Sequence, residues 1–144
     1  MPSARYDETN IFAKILRGEL PCHKVFEDDV ALAFMDIMPR ADGHVLVLPT
    51  APSRNLLDAD PENLGKLIVR VQKIARAVKL ALAAEGITLL QCNESAGGQV
   101  IFHLHFHILP RWNGVELRPH SRLQEKPEVL DGYAKKIAAA IVTV

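Results

Sequence analysis

Cysteine is scarce. The chain of 144 residues has two, Cys22 and Cys92, far apart and in no Cys-x-x-Cys pair. That argues against a disulfide framework and against a cysteine-built metal site, and predicts two free thiols in a reducing compartment. An excess of either charge is also missing: 17 Lys and Arg stand against 17 Asp and Glu. Nothing then drives sequence-independent nucleic-acid binding by counterion release, and no nucleic-acid partner is expected. No apolar run approaches the roughly 18 residues that a membrane span needs, so no membrane partner is expected. The first residues are polar and lack the apolar centre of a signal peptide, which predicts a cytoplasmic protein. Internal repeats and low-complexity segments are absent.

What remains is an ordinary globular composition, with 49% hydrophobic and 24% charged residues. One domain spanning residues 1–144 is expected. Folding removes about two-thirds of the surface from water at this size, enough for one core without staples. Thr9 or Asn10 is placed to cap a short helix, with Ile11, Phe12, Ile15 and Leu16 on one face and Gly18 at its end. Residues 23–27 and 30–35 read as strands around Asp28 and Asp29, and residues 44–49 as a third, rich in Val and Leu. Asp60 and Pro61 open a long helix. Leu64, Leu67, Ile68, Val71, Ile74, Ala75, Val78 and Leu82 keep helical spacing along it, and Gly86 is placed to end it. Residues 87–93 and 100–109 read as two more strands, the second stopped by Pro110. Residues 111–126 are polar and irregular, and Pro127 opens a final amphipathic helix through Val129, Leu130, Tyr133, Ile137 and Ile141. Strands that do not alternate strictly with helices predict an α+β fold with a mostly antiparallel sheet.

The informative stretch runs from Gly97 to Leu109. His103, His105 and His107 stand at i, i+2 and i+4, which on a strand puts all three on one face, with Leu104, Phe106 and Ile108 on the other. Three readings are open. A purely structural cluster is one. A metal site is the second, although His103 and His107 would lie about 13 Å apart on an extended strand, too far to share one ion. The third is nucleophilic and acid–base chemistry on a phosphate. Neutral imidazole is a good nucleophile near pH 7 when one nitrogen is bare and the other is held by a hydrogen bond. Neighbouring histidines can fix that tautomer and protonate a leaving group. Gly97 and Gly98 would let backbone N–H groups approach phosphate oxygens, and Asn93 offers an amide nearby. Glu94 is the nearest acid, a sparseness of negative charge that suits an anionic substrate.

His103-Leu104-His105-Phe106-His107-Ile108-Leu109 matches the His-φ-His-φ-His-φ-φ motif, φ being apolar, and the chain thereby resembles the histidine triad (HIT) family of nucleotide-binding proteins. The resemblance extends over about residues 8–110. It includes Ile11-Phe12-Ala13-Lys14-Ile15, Phe26-Glu27-Asp28-Asp29, Ala33-Phe34-Met35-Asp36-Ile37 and Gly43-His44-Val45-Leu46-Val47-Leu48-Pro49. It implies a HIT-like fold: about five mostly antiparallel strands, one long helix, a short N-terminal helix and a C-terminal helix. Residues 111–144 form a weakly matched tail.

Site residues carry over one by one. His105 matches the nucleophile that takes a nucleotidyl group on Nε2. His107 matches the histidine that bonds the phosphate and assists the leaving group. His103 and His44 match supporting imidazoles. Asn93, Gly98, Gln99 and Val100 match the phosphate-binding loop, and Asp36 the acid that binds ribose hydroxyls. Ile11, Phe12, Ile15, Leu20, Phe34 and Ile37 match the apolar base pocket. Some branches have Ser or Thr where this chain has Val100, which removes a side-chain hydroxyl from the loop. Some have a Cys-x-x-Cys at the positions of Asn10 and Ala13, part of a structural zinc site. Its absence here predicts no metal, and no cofactor is expected.

The implied activity is hydrolysis at the α-phosphate of nucleoside phosphoramidates or dinucleoside polyphosphates through a nucleotidyl-histidine. A purine, AMP-like nucleotide is the implied ligand. The alternative is a nucleotide-sensing module that acts through a protein partner with little catalysis. The family also implies a homodimer. The long helix agrees in having apolar or small residues beyond one stripe, at Val69, Ala77, Ala81 and Ala83.

Overall fold

The structure is a computed structural model that describes residues 5–119 and 123–144. Residues 1–4 of the polar N-terminal stretch and 120–122 of the polar segment lie outside the described residues. The elements run α1 (Ile11–Leu16), β1 (Lys24–Glu27), β2 (Ala31–Met35), β3 (Val45–Pro49), α2 (Pro61–Ala81), β4 (Gly86–Leu90), β5 (Phe106–Arg111) and α3 (Pro127–Ile141). Single helical turns at Leu56–Asp58 and Ser95–Gly97 shape two loops. The five strands form one antiparallel sheet in the order β1-β2-β3-β5-β4. This is the expected α+β, HIT-like architecture, with three α-helices among the described residues.

Both sheet faces are covered. Val25, Ala31, Ala33, Met35, Val45, Val47, Phe106 and Ile108 point into a core shared with α2 and α3. Leu130, Ala134, Ile137 and Ile141 of α3 belong to that core, so the weakly matched tail is part of the fold's main packing. On the other face, Leu32, Phe34, Leu46 and Leu48 pack under Phe12 of α1. The period of two along each strand produces this division. Register aligns Phe34, Leu46 and His107 in one cross-strand row, which puts His107 on the α1 side of the sheet.

Local caps follow the sequence. Asn10 Oδ1 accepts the Ala13 N–H at 2.9 Å, and the Asp60 carboxylate accepts the Asn63 N–H at 3.1 Å. Three expectations are corrected. The long helix ends at Ala81, not near Gly86. Ala83 takes the left-handed conformation, φ 49°, and the Ala84 N–H closes onto the Lys79 carbonyl at 3.0 Å. That is the work usually given to a glycine, while Gly86 opens β4. The last strand begins at Phe106, not Val100, so residues 100–105 lie outside the ladder. Pro110 does not stop it: β5 continues to Arg111 with Pro110 opposite Ile87. The ladder to β3 has already ended at Ile108, leaving the one-sided setting in which proline is tolerated. Cys22 and Cys92 are both free thiols.

Candidate active site

His103 and His105 therefore precede β5, and only His107 lies on it. What holds the first two is a set of long-range hydrogen bonds. The His103 ring is buried, with Nε2 2.9 Å from the Pro49 carbonyl and Nδ1 2.5 Å from the Tyr6 hydroxyl. The carbonyl can only accept, so Nε2 carries the hydrogen. Burial drives His103 down to about 4, and it is neutral near pH 7. Nδ1 is then bare and the Tyr6 O–H donates to it. The next residue is anchored through its backbone, Leu104 N–H to Ser53 O at 2.9 Å.

His105 Nδ1 lies 2.7 Å from the His103 carbonyl and donates to it. Nε2 of the neutral ring is left with its lone pair. Burial lowers the His105 pKa, and donation to the carbonyl opposes that shift. His105 is sandwiched edge-on between Phe12 and His107, each with its ring centroid 4.9 Å away.

His107 has the opposite tautomer. The Arg40 N–H donates to His44 Nδ1 at 3.1 Å, so neutral His44 carries its hydrogen on Nε2. That hydrogen points to His107 Nδ1 at 3.0 Å, which places the hydrogen of neutral His107 on Nε2. Side by side, then, stand one imidazole with a bare Nε2 and one with an Nε2–H. A bare imidazole nitrogen of this kind can attack an electrophile, and an imidazole N–H can donate to a departing atom.

Asp36 follows β2 directly. Its Oδ1 accepts the Met38 N–H at 2.8 Å, and Oδ2 lies 3.5 Å from His44 Nε2. One ligand atom each of Asp36, His44 and His107 falls within 4.8 Å of the others, a spacing that could hold a metal ion. The tautomers do not suit one. His44 Nε2 bears a hydrogen because the Arg40 N–H occupies the lone pair of Nδ1, so Nε2 has none to offer. A His103–His105 site fares no better, since both His103 nitrogens are engaged.

The glycine loop differs from its sequence reading. The N–H groups of Gly97, Gly98 and Gln99 turn inward, onto the carbonyls of Glu94, Ser95 and Glu94, each at 3.0 Å. Val100 is the first loop residue after them whose N–H finds no acceptor among the described residues. Gly98 has φ 97°, and a Cβ there would meet Cys92 Sγ at an ordinary 3.5 Å, so conformation rather than space demands glycine. Gln99 is buried and spends its side chain on the loop: Nε2 donates to the Arg54 and Ile101 carbonyls, and Oε1 accepts from Asn55 and Glu94 N–H. Asn93 is held by Gln91 and by the Leu56 N–H.

Of the apolar set, Phe12 and Phe34 are buried edge to face at 5.6 Å, and Ile15 packs against the same cluster. Ile11, Leu20, Ile37 and Val100 belong to neither buried cluster and stay exposed. Tyr6, Arg40, Arg54 and Asn55 were missed by sequence reasoning. Arg54 grips both Glu94 oxygens at 2.9 Å and covers the Phe102 ring at 4.1 Å. This hydrogen-bonded pairing holds the Glu94 carboxyl below its usual range and raises Arg54. Glu94, the acid nearest the triad in sequence, is thereby paired, while in space Asp36 stands beside the triad, within 4.8 Å of His107. Only Asn55 had a local signal, the Asn-x-x-Asp capping box with Asp58.

Fold and site together define a histidine-triad protein, with two imidazoles of opposite tautomer side by side next to a tight loop. The HIT domain family model matches residues 17–114, and the chain belongs to that family. A Hit-like protein involved in cell-cycle regulation from Bartonella henselae superposes with a TM-score of 0.91 at 55% identity, covering 95% of this chain and 99% of that one. A HIT family hydrolase from Clostridium thermocellum gives a TM-score of 0.66 at 30% identity, covering 81% of this chain and 99% of that one. The adenylylsulfatase HINT3 of Arabidopsis thaliana is 38% identical over 122 residues, 81% of this chain. The match spans 62% of that relative's own length.

Proposed function

We propose that the chain is a nucleotidyl hydrolase acting on an AMP-like purine nucleotide with a phosphoramidate or phosphoanhydride leaving group. The observation that carries this reading is the pair of opposite tautomers, bare Nε2 on His105 and Nε2–H on His107. His105 Nε2 attacks the α-phosphorus, forming a P–N bond as the P–N or P–O bond to the leaving group breaks. The departing atom takes its proton through the His107 Nε2–H, the ring being reprotonated from water as it gives that proton up, so that no imidazolate is left. Water then attacks the nucleotidyl-histidine, its surplus proton passes to solvent through His107, and the P–N bond to His105 breaks as the nucleoside monophosphate leaves. The Val100 N–H is the donor for a phosphate oxygen as charge builds on it, a contact typically worth about 10²-fold in rate. Asp36 receives the ribose hydroxyls, and the Phe12–Phe34 cluster with the exposed Ile11, Leu20 and Ile37 receives the base.

The hydrolase and adenylylsulfatase relatives support this class of chemistry. We further propose one domain over 1–144, a cytoplasmic location, and a homodimer formed through α2 and the edge strand β4. The dimer is supported by Val69 and Leu80, which are 58% and 60% exposed on α2. No helix among the described residues is long and apolar enough to cross a membrane.

The test is AMP release from adenosine phosphoramidate, diadenosine tetraphosphate and adenylyl sulfate by wild type and His105→Asn. Release by wild type alone supports the enzyme, and the fastest substrate identifies the leaving group. AMP binding with no release from any of the three would favour the nucleotide-sensing reading instead.

A further inference from the structure

Residues 100–105 carry the nucleophile, yet no strand ladder holds them. Their placement rests on one backbone bond, Leu104 N–H to Ser53 O, and on side-chain anchors, among which the His103 ring belongs to the residue whose carbonyl holds His105. That ring is fixed from both sides. Pro49 O accepts from Nε2, and the Tyr6 hydroxyl, from 97 residues away, donates to Nδ1. Tyr6 meets the His103 ring edge-on at 5.6 Å. Asn10 sets the direction of that bond. Its Oδ1 is occupied by the Ala13 N–H, so its Nδ2 faces Tyr6 Oη, at 3.1 Å, and donates there. The tyrosine oxygen accepts from Asn10 and its hydrogen remains for His103. The donors thus run in one sense: Asn10 Nδ2–H to Tyr6 Oη, then Tyr6 O–H to His103 Nδ1. At His103 the same residue's carbonyl accepts the His105 Nδ1–H at 2.7 Å. The N-terminal arm and the nucleophile meet at one residue.

We infer that Tyr6, oriented by Asn10, is a positioning residue for the nucleophile. It locks the His103 ring so that the His103 carbonyl keeps His105 in the Nδ1–H tautomer, with Nε2 turned to substrate. Tyr6 touches neither phosphate nor leaving group in this scheme. The inference rests on the proposed hydrolysis for its consequence in rate, while the tautomers themselves can be read without substrate.

The experiment compares wild type, Tyr6→Phe and Asn10→Asp, each labelled with ¹⁵N-histidine. The second variant keeps an acceptor for the Ala13 N–H but offers Tyr6 a carboxylate, drawing its hydrogen away from His103. It therefore tests the relay in a chain that keeps the tyrosine and the helix cap. Expected are fixed single tautomers at His103 and His105 in wild type, and nitrogen shifts showing mixed tautomers at both in the two variants. With adenosine phosphoramidate, kcat should fall about fivefold to tenfold, the equivalent of one hydrogen bond, with KM nearly unchanged. A merely structural tyrosine would lower the amount of folded enzyme and leave the nitrogen shifts of the folded fraction in place. Unchanged nitrogen shifts at His105 in both variants would overturn the inference, as would changed shifts with full kcat. Should wild type release no AMP from any substrate, mixed tautomers in the variants would still uphold the positioning role, and the hydrolase reading alone would fall.

Discussion

His44→Phe isolates the acid side of the relay. Phenylalanine keeps the ring's bulk and removes both nitrogens. The Arg40 N–H loses its acceptor and His107 Nδ1 loses its donor. His44 is 2% exposed, so water has little room to replace either bond. A stranded buried polar group costs about 1–3 kcal/mol, and two of them should cost the fold about 2–6 kcal/mol. The effect on catalysis is more specific. His107 keeps its ring but no longer has its hydrogen fixed on Nε2. General acid catalysis is worth about 10²–10⁴-fold, and a retained but misassigned acid should lose about the lower figure. That loss depends on the leaving group. An amine departs from phosphorus only with a proton, whereas 4-nitrophenolate departs without one. The assay is AMP release from adenosine phosphoramidate and from the 4-nitrophenyl ester of AMP, at a temperature where urea titration shows the variant folded. The amine substrate should slow about 10²-fold and the ester less than about tenfold. Equal losses on both substrates would refute the assignment of His107 as the acid that His44 orients.

Three further outcomes are expected. His103 is held near 4 against an ordinary 6.5. Its stabilising contribution is therefore complete above about pH 6.5 and lost as pH falls toward about 4. Urea unfolding at about pH 7 and about pH 4.5 should differ by about 2 kcal/mol from this group, and His103→Gln should flatten that slope. A slope unchanged in the variant would assign the acid sensitivity to other groups. Gly98→Ala should cost about 1–2 kcal/mol through its left-handed backbone and raise KM by displacing Val100; wild-type KM would remove the loop from phosphate binding. Leu80→Asp should convert a dimeric mass to a monomeric one by light scattering, and a wild-type monomer at micromolar concentration would end the dimer proposal.

The sequence reading succeeded mainly where a local signal was a cap or a periodic apolar stripe. Asn10 and Asp60 announced α1 and α2 as caps, and the spacing of Leu67, Val71, Ile74 and Val78 matched the stripe that is buried. The central strands followed from β-branched and apolar runs. The site was legible as a set of side chains, because three histidines at a period of two are rare without a purpose. Its geometry was not. The alternation of residues 100–109 satisfies a strand, and nothing nearby says that His103 will bond Pro49, 54 positions earlier, instead of a neighbouring ladder. Tyr6 is more distant still and stands in no motif. The glycine rule failed at Ala83 because a left-handed alanine costs only about 1–2 kcal/mol. There its carbonyl also accepts the Trp112 Nε1–H at 3.1 Å.

The covalent step is the centre of the proposed mechanism, and the mass of the enzyme quenched in base during turnover of adenosine phosphoramidate tests it most directly. The tautomers of His105 and His107 predict one adenylyl group per chain, on the peptide that bears His105, and none on His105→Asn. An adenylyl group on another residue, or wild-type AMP release by His105→Asn, would contradict it.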